Sequence, residues 1–180
     1  MEKTKERTVL IRKESDFLYL EYYNVVRYCD NDFIKQLKCI ACGSKTVDYK
    51  FIEDFVFLIE EKYKVTIMAI GYDRYNALSS AQKWDTKYNT VQIRQHSDTL
   101  HAPTKLLYEK IVNNQFRYEN NKLLEINFEN ARCTFDTNMN RYVTKKKSNG
   151  KVDMVVALIN SIYLLQQDCL LNDSGFFIQF

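Results

Sequence analysis

Two aspartates stand out as residues that could hold a divalent cation, and one of them, Asp153, lies beside a cluster of lysines. The four lysines are Lys145, Lys146, Lys147 and Lys151. Asp153 begins an apolar run, so we expect it at or near the N-cap of a helix, where backbone N–H groups and the helix dipole keep a carboxylate ionised. A carboxylate among lysines could hold a metal ion close to a bound phosphate. The alternative is an ordinary N-cap aspartate beside a solvated lysine run.

Asp73 follows an apolar run, residues 64–73, which lacks polar alternation and is therefore typical of an interior parallel strand. Open α/β sheets bind their ligands at the carboxyl ends of such strands. If Asp73 and Asp153 converge there, their oxygens suit Mg²⁺ or Mn²⁺. Two such ions about 4 Å apart could support hydrolysis of a phosphodiester, with the lysines holding the nucleic-acid backbone. Otherwise, Asp73 is a polar residue that caps the next helix.

The elements that must position these aspartates alternate between strands and helices, as in α/β proteins. The second arm of the first predicted hairpin is too apolar for a free edge. On the first predicted helix, we expect Phe51 on the apolar face and Glu53 on the polar face. In chain order, the predicted elements are a hairpin over 8–12 and 17–28, a helix from Asp48, a strand ending at Asp73, a helix over 76–84, a strand over 90–93, a helix over 103–113 beginning with proline, a hairpin over 128–135 and 141–144, and a helix from Asp153.

Length and composition favour one domain over residues 1–180, with frayed residues 1–7 and an apolar tail over 170–180 that needs covering. A hydrophobic content of 46% is enough for a core. The net charge of +3 is mild, and a nucleic-acid partner is permitted because the basic residues cluster in 141–151. No segment approaches the ~20 apolar residues that would span a membrane.

The five cysteines, with no apolar signal segment before them, predict free thiols in a reducing compartment. Cys39 and Cys42 form a C-x-x-C pair, but a structural zinc would need two more ligands. His96 and His101 lie far along the chain, and no second pair exists. A thioredoxin-like redox site is also disfavoured, because no strand-turn-helix pattern surrounds the pair.

Several short motifs occur in one order that resembles a known family. The first three of the four motifs are GYDRYNA at 71–77, PTK at 103–105 and Asn127 with NAR at 130–132, and the fourth is KKKS at 145–148 together with GKVD at 150–153 and AL at 157–158. Together they closely resemble the C-terminal nuclease domain of the large terminase subunit of tailed bacteriophages. The likeness runs over about residues 43–168, and four motifs in order are far more specific than any one.

This resemblance implies an RNase H-like mixed sheet flanked by helices, which binds two divalent metals and cuts double-stranded DNA during genome packaging. By position, Asp73 matches the acidic residue after the central strand of the family, and Asp153 matches the one that opens its last helix. The implied cofactors are Mg²⁺ or Mn²⁺. The implied partners are double-stranded DNA, other terminase subunits and the portal, without a membrane, in the cytoplasm of the bacterial host.

One departure from the family affects both the fold and the chemistry. The first metal-binding aspartate of the family lies on its first strand and has no match here, since Asp16 lies in a turn and Glu21 within a hairpin arm. We therefore expect a sheet that is incomplete at its first strand. The chain also lacks the glycine-rich phosphate loop of the ATPase motor. Two alternatives to an active nuclease remain: a catalytically incomplete fragment that binds DNA or another terminase chain, and an unrelated RNase H-like resolvase or integrase.

Overall fold

The computed structural model describes residues 4–14, 17–26, 39–41, 47–63, 65–118 and 120–171. The prediction for the apolar tail lies outside these residues, as does Cys42. In chain order the elements are β1 (Thr4–Glu14), β2 (Phe17–Val26), β3 (Cys39–Ala41), α1 (Tyr49–Tyr63), β4 (Ile70–Tyr72), α2 (Arg74–Trp84), β5 (Thr90–Gln92), α3 (Ser97–Val112), β6 (Phe116–Tyr118), α4 (Lys122–Asn130), β7 (Cys133–Phe135), β8 (Arg141–Val143) and α5 (Asp153–Leu171).

Strand β2 is the interior strand of the largest sheet. It pairs antiparallel with β1, and Glu14 and Phe17 are the pair next to the turn. The predicted hairpin is therefore confirmed. The other edge of β2 pairs with β3 and with β6, both parallel to it. The apolar second arm of the hairpin is thus paired on both edges, as its composition predicted.

Strands β4 and β5 form a separate two-stranded parallel sheet among the described residues. The parallel direction confirms the prediction, but the expectation of an interior strand was wrong, because β4 is much shorter than the apolar run and pairs with β5 alone in the described part of the chain. Before β4, the backbone N–H of Ile67 donates to Glu60 Oε1 at 2.9 Å. This N–H is therefore bonded to a side chain of α1 and not to a neighbouring strand. Helix α5 packs against both β1 and β4, and therefore lies across strands of two sheets that no ladder joins in the described part of the chain.

Helix α5 supplies more buried residues of the larger hydrophobic core than any other element does, as its nearly continuous apolar sequence predicted. Met154, Leu158 and Ile162 are each at most 1% exposed, and they pack with residues of α3 and α4. A second core lies between α1 and α2 and includes Phe55, Ile59 and Trp84. No helix in the described ranges is both long and apolar enough to cross a membrane.

Three details differ from the sequence-based expectations. Helix α3 begins at Ser97 rather than at Pro103, which lies inside it, because the buried side chains of Leu100 and Leu106 extend its apolar face to both sides of the proline. Residues 128–130 belong to α4, which was not predicted, and only β7 and β8 form the second hairpin. On α1, Phe51 is exposed and Glu53 is buried, because Ser80 and Lys83 donate hydrogen bonds to the Glu53 carboxylate.

Candidate functional site

Asp153 is the first residue of α5, one position beyond a formal N-cap. The first helical hydrogen bond runs from the Val156 N–H to the Val152 carbonyl at 3.0 Å. The Asp153 side chain is 26% exposed, and its Oδ1 lies 2.7 Å from Lys145 Nζ. Asp153 is therefore a partly solvated carboxylate at a helix N-terminus, where the helix dipole favours its negative charge.

A buried asparagine of α4 holds the N-terminus of α5. Asn127 is 1% exposed, and its Oδ1 accepts from the Met154 N–H at 3.1 Å. Its Nδ2 donates to the Leu123 carbonyl at 2.8 Å, so both ends of the amide are used. Asn127 thus satisfies a terminal N–H of α5 from a different helix, as an N-cap side chain would do locally. The only sequence signal for this role was its place in the ordered motifs.

The lysines lie on an exposed turn, residues 144–151, which we call the lysine turn. Lys145, Lys146, Lys147 and Lys151 are all exposed. Inside the turn, the backbone N–H and the Oγ of Ser148 both donate to the Thr144 carbonyl, at 3.2 and 2.8 Å. These bonds fix the backbone, while the four lysine side chains remain exposed.

The lysine turn is fastened to the end of α4. Ser148 Oγ accepts from the Arg132 N–H at 3.2 Å, and the Asn149 N–H donates to the Asn130 carbonyl at 3.0 Å. Asn130 Nδ2 donates to the Lys151 carbonyl at 3.3 Å. Gly150 passes so close that an added Cβ would lie 2.7 Å from Asn130 Nδ2. Residues far apart in sequence therefore fix the path of the chain into Asp153.

Asp73 lies at the end of β4 and is exposed. It occupies the N-cap position of α2 with extended backbone angles, φ −92° and ψ 133°, but its side chain makes no cap hydrogen bond. The capping alternative is therefore not realised through a hydrogen bond. The position of Asp73 depends on the backbone of the strand and of the following helix.

Helix α5 packs against β4, and two contacts show in which direction that strand runs along the helix. An added Cβ on Gly71 would lie 3.0 Å from Leu164 Cδ1 and 2.5 Å from Ile93 Cδ1. Two residues beyond Ile93, Gln95 Nε2 donates to Asn160 Oδ1 at 3.2 Å, one turn nearer to the start of α5. Since β4 is parallel to β5, it also runs towards that end.

The donor set suits a hard divalent ion, although it is small. Among the described residues, no group of three or more His, Cys, Asp or Glu side chains could hold a metal ion. Mg²⁺ is commonly held by one or two carboxylates and completed by substrate phosphates, so the carboxylates of Asp73 and Asp153 are ligands of the type that this ion uses. A protein-only pair of ions would need a further carboxylate. Asp16 lies outside the described residues, and Glu21 is paired with Leu10 in the first hairpin.

A second polar cluster, around Ser97, is structural. Ser97 Oγ donates to Asp136 Oδ2 at 2.6 Å, and Asn140 donates twice to the same carboxylate through its backbone and side chain. The Ser97 hydroxyl is the first cause that holds the pKa of the Asp136 carboxyl well below its usual range. Such a carboxylate is a weak base and does not activate a serine nucleophile. The cluster fastens the β7–β8 hairpin to α3.

Two solved structures share the fold of this chain. The crystal structure of the HK97 bacteriophage large terminase matches with a TM-score of 0.74 and 17% identity, over 87% of this chain and 36% of that chain. The crystal structure of the large terminase nuclease from thermophilic phage G20c matches with a TM-score of 0.52 and 12% identity, over 86% of this chain and 81% of that chain. The chain therefore has the mixed α/β, RNase H-like fold of these nuclease domains.

The sequence match narrows this class to one family. Residues 6–168 match the family described as terminase large subunit, endonuclease domain, and the chain belongs to that family. No individual curated protein gave a match. The predicted family and fold class are thus confirmed, and the alternative of an unrelated resolvase or integrase was wrong. The chain spans 36% of the length of the HK97 large terminase.

Proposed function

We propose that this chain is a metal-dependent endonuclease that cuts double-stranded DNA during viral genome packaging. The observation that carries the proposal is the placement of Asp153 at the start of α5, next to the exposed lysine turn, within a chain of the terminase endonuclease family. A carboxylate beside solvent-exposed lysines is suited to a metal ion that acts on a phosphate held by those lysines.

Asp73 and Asp153 are the proposed metal ligands, and the expected ions are Mg²⁺ or Mn²⁺, two in the family. When bound, these ions supply an activated water and stabilise the leaving oxygen of the phosphodiester. The helix N-terminus favours the negative charge of Asp153, which suits this side chain to act as an oxygen ligand. The lysine turn, with Lys145, Lys146, Lys147 and Lys151, binds the DNA backbone through its charge and carries no base specificity.

Family membership also suggests the partners. The proposed substrate is double-stranded DNA, and the proposed assembly partners are other terminase subunits and the portal. The proposed site of action is the cytoplasm of the infected bacterial host, where viral genomes are packaged.

Cleavage of supercoiled plasmid in Mn²⁺, Mg²⁺ or EDTA tests the proposal. We expect metal-dependent cutting that falls by at least about 100-fold in Asp73→Asn and in Asp153→Asn, because each removes a ligand charge without changing shape. Asp54→Asn is the matched control, since Asp54 is an exposed aspartate on α1, and it should cut as well as the wild type. Undiminished cutting by Asp153→Asn would overturn the assignment of the site.

A second candidate is a catalytically incomplete terminase chain that binds DNA or another terminase chain. It is favoured by the absence of a three-carboxylate cluster from the described residues, and by the separation of β1–β2 from β4–β5 there. For this candidate we expect no cutting by folded protein in any metal, but DNA binding that weakens steeply with salt. Metal-dependent cutting that requires both aspartates would exclude it.

A further inference from the structure

The four lysines of the lysine turn are not equivalent. Lys145 Nζ lies 2.7 Å from Asp153 Oδ1, whereas Lys146, Lys147 and Lys151 form no ion pair with any carboxylate in the described ranges. All four side chains are exposed, so exposure alone does not explain the difference. One lysine of the set is in direct contact with a proposed metal ligand.

The contact is well placed but easily broken. Lys145 follows Thr144, whose carbonyl is held by Ser148, and β8 ends at Val143, which is only 8% exposed. The base of the lysine side chain is therefore fixed near the start of α5. Its side chain is nevertheless 65% exposed, so the amine can leave the carboxylate without disturbing a buried contact. An exposed ion pair of this kind is weak, because water solvates both charges well.

An amine in this position competes with a metal ion for the same carboxylate. Mg²⁺ binds carboxylate oxygens at about 2.0–2.1 Å, so an ion on either oxygen of Asp153 would lie close to the Lys145 ammonium and repel it. We propose that Lys145 is a counter-ion of Asp153 in the metal-free protein, that a divalent ion displaces it, and that the released amine then joins the DNA phosphate contacts. This inference rests on the proposed metal site, and it couples metal binding to DNA binding through one side chain.

Mn²⁺ affinity measured by titration calorimetry on the full chain tests the displacement. Lys145→Met keeps the aliphatic stem and removes the charge, and Lys146→Met makes the same change one residue away, where no ion pair exists with a described residue. We expect Lys145→Met to bind Mn²⁺ about three- to five-fold more tightly than Lys146→Met, which is the scale of an exposed ion pair. Thermal unfolding of both variants checks that the fold is retained.

The outcomes separate this inference from the proposed function. Equal Mn²⁺ affinity in the two variants would overturn the displacement while leaving the metal site in place. No Mn²⁺ binding by folded wild type or by either variant would overturn both the displacement and the metal site.

DNA binding gives a second readout. Binding to a linear duplex should be weakened by Lys145→Met in Ca²⁺ but not in EDTA, whereas Lys146→Met should weaken it in both. Equal weakening by Lys145→Met in Ca²⁺ and in EDTA would show that the amine contacts phosphate without being released by a metal.

Discussion

The two proposed metal ligands are held in very different ways. Asp153 follows a turn that is bonded to α4 at several points, and it opens a helix whose N-terminal N–H is taken by Asn127. Asp73 stands at the exposed end of a three-residue strand, without a side-chain cap bond. The first position is fixed by tertiary hydrogen bonds, and the second by the backbone of its own segment.

At Asp73, we expect substitutions to change metal binding without changing the stability of the fold. Around Asp153, we expect substitutions to change both. Near Asp153, the Asn127 amide that supports the start of α5 also forms a hydrogen bond between α4 and α5. Near Asp73, the ligand can be removed without loss of a hydrogen bond, while the packing beneath it, at Gly71, remains essential. The comparison therefore predicts which substitutions alter folding, metal affinity or both.

The largest effect on folding is expected from Asn127→Ala. It removes two hydrogen bonds at a 1% exposed position and leaves the Met154 N–H without its acceptor, so we expect unfolding to become about 2–3 kcal/mol easier. Urea denaturation measures this change. Mn²⁺ affinity should fall as well, because the start of α5 loses its support.

Asn121→Ala is the matched control for that prediction. Asn121 caps the other end of α4, where its side chain accepts from the N–H groups of Leu123 and Leu124. Loss of this cap should cost about 1 kcal/mol without a change in Mn²⁺ affinity. If both variants lowered Mn²⁺ affinity equally, the special role of Asn127 at the site would be refuted.

A smaller loss, about 1–2 kcal/mol, is expected from Gly71→Ala. The new Cβ would lie 2.5 Å from Ile93 Cδ1 and 3.0 Å from Leu164 Cδ1, so the packing of α5 on β4 must adjust. Gly150→Ala, where the added carbon meets the Asn130 side-chain amide, should cost less because that amide can shift on the surface. Thermal unfolding of the two variants compares the two sides of the site directly, and the reverse order would contradict the packing argument.

Asp136, in the β7–β8 hairpin that leads into the lysine turn, should stabilise the fold to an extent that depends on pH. The pKa of Asp136 is lowered, first by the Ser97 hydroxyl, so this carboxylate stabilises the fold above its unfolded pKa and loses that effect as pH falls through its folded pKa. Asp136→Asn should therefore lower the melting temperature at pH 7. The difference from wild type should shrink below about pH 4, near the ordinary value for aspartate. A difference that does not vary with pH would mean that the charge of Asp136 is irrelevant.

The smallest effect is expected from Asp73→Ala, which should change the free energy of unfolding by no more than about 0.5 kcal/mol. Asp73 is exposed and makes no side-chain cap bond, so its removal leaves the hydrogen bonds of α2 in place. Urea denaturation of Asp73→Ala beside Asp153→Ala tests the comparison, since the second variant also loses the Lys145 ion pair. If Asp73→Ala lowered the free energy of unfolding by more than about 1 kcal/mol, the end of β4 would also be held by side-chain contacts.

Much of the fold could be predicted from the sequence because it depends on local patterns. Apolar patterns predicted the first hairpin, a parallel strand before Asp73 and the buried helix α5, although that strand is short and is not interior among the described residues. The ordered motifs predicted the family, since their order is far less probable by chance than any single motif. The same patterns selected Asp73 and Asp153, whose role as ligands stays a prediction.

Other features depend on contacts between residues that lie far apart in the sequence. Helix α4 was missed because its asparagines are typical of loops, yet Asn121 caps it and Asn127 bridges it to α5. Glu53 looked like a surface residue, but Ser80 and Lys83, on another helix, hold it inside. Likewise, nothing local distinguishes Lys145 from its neighbours. Hydrogen bonds and ion pairs are short-ranged and directional, so only the folded chain decides which of several similar polar side chains meets a given partner.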